Sequence, residues 1–304
     1  MIRRHEPRAS AYVRERAARE GSEARRVKDA LSARGLSPRK RFGQNFLIHD
    51  ALAERIVEHA RLNEDDVVVE IGPGAGALTP RLARRARRVI AVEKDTGLAS
   101  YLREELAEWR GIELVEGDFL EFDLVRAAAD AGVPRLVVVG NIPYNITTPI
   151  LERLFEQSAV VRTATLLVQK EYAERLAAAA GSDAYGSLTV FARYHALLEP
   201  LMAVRASAFW PRPDVDSMLV RVLPREHPPV DAPEALLFRI VRGAFQQRRK
   251  QLGNTLEGSL GRTREAVDAI GRHAGIALQR RGETLTLEEF ARLARAAADA
   301  GVSP

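Results

Sequence analysis

The sequence predicts an α/β protein, a parallel helix-covered sheet followed by a small all-helical domain. Three observations carry that prediction. Apolar, mostly β-branched runs such as Val67–Ile71, Val89–Glu93 and Leu136–Gly140 alternate with helix-length stretches. Strands buried on both faces read as continuous apolar runs of this kind. The first run opens directly into a glycine loop, Gly72-Pro-Gly-Ala-Gly76, and a helical pattern follows it. Beyond the proline-rich stretch 224–233 only helical periodicity remains.

Taken in order, residues 1–25 show no apolar periodicity and read as a basic, disordered extension. A short helix and then Ser37-Pro-Arg-Lys-Arg41 occupy 26–41. Phe42–Leu47 is a turn-bearing segment, and Asp50 is placed to cap a helix over 51–61. Strand–helix alternation then begins: strand 67–71, helix 77–87, strand 89–93, helix 96–109, strand 112–116, strand 136–140, a helix near 148–157 and strand 163–168. A helix over 170–180 precedes two further strands, 204–208 and 217–222, which flank Phe209-Trp-Pro-Arg-Pro-Asp-Val-Asp216. Helices follow at 234–247, 250–259, 263–273 and 286–299. The domains expected are therefore 1–25, a catalytic domain over 26–224 and a helical domain over 225–304.

Composition narrows the chemistry. The 304 residues contain no cysteine, which excludes disulfides, thiolate metal sites and cysteine nucleophiles. No apolar stretch reaches the ~18 residues of a membrane-spanning helix. The six histidines show no paired metal-ligand spacing, so no metal is expected. Charge is uneven: residues 1–41 hold eleven Arg and two Lys against five acids, a net of +8 in a chain whose formal charge is +5. A second basic cluster is Gln246-Gln-Arg-Arg-Lys-Gln251. Clusters of this kind suit a polyanion partner, whereas the arginines of 81–88 fit an ordinary solvated helix face.

The glycine loop lets backbone approach a ligand closely and leaves helix N–H groups free. Gly72-x-Gly74-x-x-Ala77 also fits a dinucleotide fingerprint, with Glu93 where that pattern places its ribose-binding acid, so the loop alone admits NAD or S-adenosylmethionine. Three features favour S-adenosylmethionine: the tight alternation of Gly72, Gly74 and Gly76, a second acid (Asp118) that ends the third strand and could accept from the cofactor's adenine amine, and an Asn-Ile-Pro-Tyr end to the fourth strand that suits an amine acceptor, with no hydride-transfer constellation beside it. Glu93 and Asp118 could each instead cap a following turn, but both fall at strand ends, where open α/β sheets bind ligands.

Asn141-Ile-Pro-Tyr144 ends the fourth strand. Its amide and the neighbouring carbonyls can accept from an exocyclic amine, and the tyrosine ring can stack on a flat heterocycle. An ordinary Asn-x-Pro turn is the competing reading.

With these motifs assembled, the chain resembles the rRNA adenine N6-dimethyltransferase family. The resemblance rests on Arg41-Phe-Gly-Gln-Asn-Phe-Leu47, Glu70–Gly76, Val92-Glu-Lys-Asp95, Glu116-Gly-Asp118, Asn141–Ile146, Ala208–Ser217, Ala244-Phe-Gln-Gln-Arg-Arg-Lys250 and Arg281–Phe290, in family order from about 36 to 298. It implies a Rossmann-like, S-adenosylmethionine-dependent methyltransferase domain. It implies cofactor contacts at Gln44, Asn45, Leu47, Gly72, Gly74, Gly76, Glu93, Lys94, Asp118, Phe119 and Asn141. Asn141, Pro143 and Tyr144 would then form the acceptor site, with Phe209 as the opposing stacking face; Phe209 alone also reads as a core aromatic, but the Pro-x-Pro after it favours an exposed, stiff loop. RNA would be gripped through Arg39, Lys40 and Arg41 and through Arg248, Arg249 and Lys250.

The form of the 208–217 and 244–250 segments resembles the branch that dimethylates two adjacent adenosines near the 3′ end of small-subunit (16S) rRNA during ribosome assembly. Gly253 stands where that branch often carries a basic residue. The other branch methylates a large-subunit (23S) adenosine and confers macrolide resistance. A non-catalytic assembly factor and a small-molecule amine methyltransferase are rivals from other classes. The resemblance further implies a cytoplasmic, monomeric protein whose partner is small-subunit rRNA in an assembling 30S-type particle.

Overall fold

The structure, a computed structural model, describes residues 25–303; the extension over 1–24 and the Lys40 side chain lie outside the described residues. The described residues form two units, one that runs to Lys170 and includes Pro200–Val222, the other of Glu171–Glu199 with the residues from Leu223 onward.

The first unit opens with a helix, α1, over 25–32, then a 3₁₀ turn at Lys40–Phe42 and a two-residue strand, β1, Phe46–Leu47. Alternation follows: α2 Asp50–His59, β2 Val67–Ile71, α3 Thr79–Ala83, β3 Arg88–Glu93, α4 Thr96–Glu105, β4 Ile112–Glu116, α5 Leu124–Ala131, β5 Leu136–Asn141, α6 Thr147–Glu156 and β6 Val161–Gln169. The chain continues through α7 Lys170–Ala177, α8 Ser187–His195, β7 Ala196–Val204, β8 Phe209–Trp210 and β9 Ser217–Pro224.

The main sheet runs β4-β3-β2-β5-β6-β9-β7. β4, β3, β2, β5 and β6 are mutually parallel, and β9 is antiparallel to β6. β2 and β5 are adjacent, yet the chain goes from β2 outward to β3 and β4 before it returns to β5 on the other side. That reversal leaves a crevice at the carboxyl ends of β2 and β5, the place where open α/β sheets bind ligands. β2 is buried at every position, as its Val-Val-Val-Glu-Ile sequence requires of a central parallel strand. Leu47, Val68, Val139, Leu167 and Leu219 belong to one core beneath this end of the sheet.

The second unit is built on α8, α9 Glu234–Gln246, α10 Leu252–Leu260, α11 Arg264–Ala274 and α12 Leu287–Asp299. Its core includes Tyr185, Val190, Leu237, Ile240, Leu256, Val267 and Phe290. The Tyr185 hydroxyl donates to the Leu285 carbonyl at 2.8 Å.

Several expectations need correction. The second unit is discontinuous: 171–199 packs with the C-terminal helices, although the sequence reading assigned it to the catalytic domain. A proline-rich boundary marks only the last crossing of the chain, and the earlier excursion has no such punctuation. The strand expected at 204–208 is displaced, since β7 ends at Val204 and Ala206–Ala208 is a 3₁₀ turn. α5 and α8 were not anticipated. His49, not Asp50, occupies the N-cap of α2, and it makes no side-chain cap bond. The helices expected over 77–87 and 96–109 are shorter, at Thr79–Ala83 and Thr96–Glu105.

Candidate active site

A cleft of ≈ 290 Å³ lies in the first unit at the carboxyl ends of β2, β3 and β5. Its floor is the glycine loop, its sides are the strand-end acids and Asn141–Ile146, and the strap 41–47 completes the lining.

The loop works through space and backbone shape. Gly72, Gly74 and Gly76 have φ of 59°, 61° and 82°, a region that side chains disfavour. A Cβ on Gly72 would meet nothing within 4 Å, so the cleft is open at that backbone. A Cβ on Gly74 would come within 3.0 Å of the Phe46 ring, which ties the loop to β1. Gly76 does not line the cleft; a Cβ there would strike Leu102 at 3.1 Å, so its role is packing.

The acids differ in their commitments. Glu93 accepts the Gly74 N–H on Oε2 at 3.0 Å and the Asp95 N–H on Oε1 at 2.9 Å. Burial pushes its carboxyl upward, and those amides oppose the rise. Each oxygen keeps a lone pair for a ligand hydroxyl. Asp118 accepts the Leu120 N–H at 3.0 Å and the Lys94 ammonium. Burial alone would raise Asp118, but the Lys94 contact and the Leu120 amide together hold it below the usual carboxylate range. Lys94 thus enters the site as the partner of Asp118. Phe119 lines the cleft next to them and stacks on Phe122, with ring centroids 6.4 Å apart.

Glu70, an acid inside the otherwise apolar strand β2, is a site residue that the motifs do not mark as a contact. It is 1 % exposed, lines the cleft, and its Oε2 has no hydrogen-bond partner. Burial pushes its carboxyl up to about 8, opposed by Thr79, whose own hydroxyl makes no bond of ordinary geometry. A carboxyl raised in the folded state stabilises fully below its unfolded pKa, and that stability is lost as pH rises through the folded value. We therefore expect the melting temperature of ligand-free protein to carry a component that falls between pH 4.5 and about 8. Thermal melts of Glu70→Gln should lack that component.

The strap is latched. Asp95, 3 % exposed, accepts from Gln44 Nε2 at 3.1 Å and pairs with Arg39 at 3.3 Å, while Gln44 Oε1 accepts the Arg39 N–H at 2.7 Å. Gln44 therefore lines the cleft with its amide already engaged. Asn45 Nδ2 donates to the Gly43 carbonyl at 3.0 Å, and the Asn45 carbonyl accepts Asn141 Nδ2 at 2.8 Å. That last contact sets the Asn141 amide. Its NH₂ end faces a carbonyl, so Oδ1 is the end left to accept. Pro143 carries a carbonyl that already accepts the Ile146 N–H at 3.2 Å, which makes the Ile142 carbonyl the better second acceptor.

Phe209 is the clearest correction within the site. It is 2 % exposed, pairs in β8 with Leu47 of β1, and packs in the core with Leu47, Leu167 and Leu219. It does not line the cleft and presents no stacking face there. The Pro-x-Pro that follows does stiffen an exposed loop, but the phenylalanine before it turns inward.

The basic segments behave unequally. The Arg41 guanidinium lies over the Phe42 ring, 4.7 Å from its centroid. In the second unit Arg248 donates to the carbonyls of Asp183 and Tyr185, both at 2.9 Å, and pairs with Glu283 at 3.4 Å. Arg249 and Lys250 are exposed. At Gly253 a Cβ would fall 2.8 Å from Arg264 Nη2, so the cation of α11 fills the space that a side chain at 253 would take.

A reversing parallel sheet, a glycine loop under open space and acids on successive strand ends define a Rossmann-like domain of the kind that binds nucleoside cofactors. The profile described as ribosomal RNA adenine dimethylase matches residues 35–299. Ribosomal RNA small subunit methyltransferase A of Bacillus mycoides (strain KBAB4) is 41% identical over 277 residues, 89% of this chain and 95% of the relative. The protein of that name from Bacillus anthracis (strain A0248) gives the same figures. Among solved structures, 23S rRNA methyltransferase ErmE is 32% identical with a TM-score of 0.62, covering 83% of this chain and 99% of that one. A dimethyladenosine transferase from Plasmodium falciparum has a TM-score of 0.71 at 24% identity, covering 84% and 98%, a likeness of fold. The chain belongs to the ribosomal RNA adenine dimethylase family, and it is an S-adenosylmethionine-dependent methyltransferase.

The residues present fit that cofactor. The cleft is open above Gly72, and the orphaned Glu70 Oε2 belongs to a carboxyl that the cofactor's positive charge would favour in its ionised form. Glu93 would hold the ribose hydroxyls and Asp118 the adenine amine.

Proposed function

We propose that this protein dimethylates N6 of two adjacent adenosines near the 3′ end of small-subunit rRNA. The observation that carries the chemistry is the Asn45–Asn141 contact, which turns Asn141 Oδ1 into a fixed acceptor at the cleft. The choice of subunit rests on the 41% identity to the small-subunit enzymes across 95% of their length.

S-adenosylmethionine supplies the electrophilic methyl; the protein supplies alignment. Adenine N6 is a weak nucleophile because its lone pair is delocalised into the ring. Asn141 Oδ1 and the Ile142 carbonyl accept its two N–H groups, which favours a more tetrahedral nitrogen with its lone pair free. Pro143, directly after them, stiffens the backbone that presents the Ile142 carbonyl. Tyr144 stacks on the flipped-out base. Burial raises the Tyr144 phenol, so it stays neutral near pH 7 and is no general base. The methylated ammonium is strongly acidic and loses its proton to solvent. Arg249 and Lys250 are the exposed cations for phosphate contact. The proposal extends to a monomeric protein in the cytoplasm acting on an assembling small-subunit particle. Among the described residues no helix is long and apolar enough to cross a membrane, and no cluster of potential metal ligands occurs.

The test is mass-spectrometric mapping of dimethyladenosine in rRNA from cells with and without the gene. Loss from the paired small-subunit adenosines is expected. Loss confined to a large-subunit adenosine would transfer the assignment to the resistance branch, and no loss at all would remove the activity.

A further inference from the structure

Tyr144 provides the stacking face of the proposed acceptor site, and among the described residues its hydroxyl bonds to Ser217 Oγ at 2.7 Å. The two residues differ in how firmly they are held. Ser217 is fully buried at the start of β9, in register with Gln169 at the end of β6. The Asp216 carbonyl next to it accepts the Lys170 N–H at 2.9 Å, and its carboxylate accepts the Ala206 N–H at 2.8 Å. Tyr144 instead opens a single 3₁₀ turn, Tyr144–Ile146, in which no residue is buried. Its terminal torsion is of the broad kind that packing or a tether must fix.

We propose that Ser217 is a positioning residue for methyl transfer: its hydroxyl clamps Tyr144 so that the ring meets the acceptor base at one angle, and the second methylation depends on that clamp more than the first. The asymmetry follows from counting N–H groups. An unmodified adenine offers two, one to Asn141 Oδ1 and one to the Ile142 carbonyl. N6-methyladenosine offers one, so one of the two anchors is lost and alignment leans more on stacking. The inference rests on the proposed acceptor chemistry.

The test uses the full-length protein with Ser217→Ala, Tyr144→Phe (which keeps the ring and removes the hydroxyl) and the double variant. Equilibrium cofactor binding, the KM for RNA, single-turnover kcat and the ratio of mono- to dimethyladenosine are measured. Cofactor affinity and KM should change little, kcat should fall about tenfold, and monomethyladenosine should accumulate. The double variant should be no worse than either single one, because both remove the same contact. Wild-type dimethylation by either single variant would overturn the clamp, as would additive losses, or a lower kcat with an unchanged product ratio. A wild-type protein that leaves rRNA unmethylated would instead remove the acceptor reading beneath it.

Discussion

Asn141→Ala is expected to lower single-turnover methyl transfer by about 10²- to 10³-fold, the scale of removing one preorganised polar group from a reacting centre. RNA affinity should stay near wild type, because the basic segments and not Asn141 grip the phosphates. Asn141→Asp sharpens the result. A carboxylate is isosteric but has no N–H for the Asn45 carbonyl, so two acceptors would face each other at a contact now 2.8 Å long. That variant should be as inactive as the alanine one despite an extra acceptor oxygen. Full activity in Asn141→Asp would show that the amide orientation does not matter; full activity in Asn141→Ala would remove the residue from the mechanism.

Glu93→Ala should act on binding. The carboxylate holds the Gly74 and Asp95 amides and would accept from the ribose hydroxyls. Its loss leaves two N–H donors without their acceptor, a cost of about 1–3 kcal/mol for each that stays buried. It also frees the glycine loop. Cofactor affinity measured by calorimetry should fall at least about tenfold, the equivalent of 1.4 kcal/mol. Melting of the ligand-free variant should be lower than wild type as well. Unchanged affinity would move the ribose contact elsewhere in the cleft. The same calorimeter reads Glu70: a bound sulfonium favours its carboxylate, so cofactor binding at neutral pH should release a proton in wild type and none from this site in Glu70→Gln.

Much of the site was legible because its markers are local. A glycine triplet, an acid at the end of a strand and Asn-Ile-Pro-Tyr are short enough to read without knowing the fold. The parallel sheet could then be inferred, and with it their convergence at one end. Phe209 was misread for the opposite reason. A Phe-x-Pro-x-Pro loop suggests exposure, but whether the ring points out or in depends on β8 pairing with β1 some 160 residues earlier in the chain. Glu70 was passed over because burial and an unanswered oxygen are properties of its surroundings. The excursion of 171–199 into the second unit has no signature in composition, since amphipathic helices look alike whichever core they cover.

The sequence by itself determined the class of chemistry: the apolar runs, the glycine loop and the strand-end polar residues admit few arrangements once alternation forces a parallel sheet. Tertiary structure decided how each group is committed. It turned the Asn141 amide by setting a carbonyl against it, paired Lys94 with Asp118, left Glu70 Oε2 without a hydrogen-bond partner, buried Phe209 and tethered Tyr144 to Ser217. Those outcomes depend on contacts between residues far apart in the chain, where burial and hydrogen-bond geometry decide, and local spacing carries no record of either.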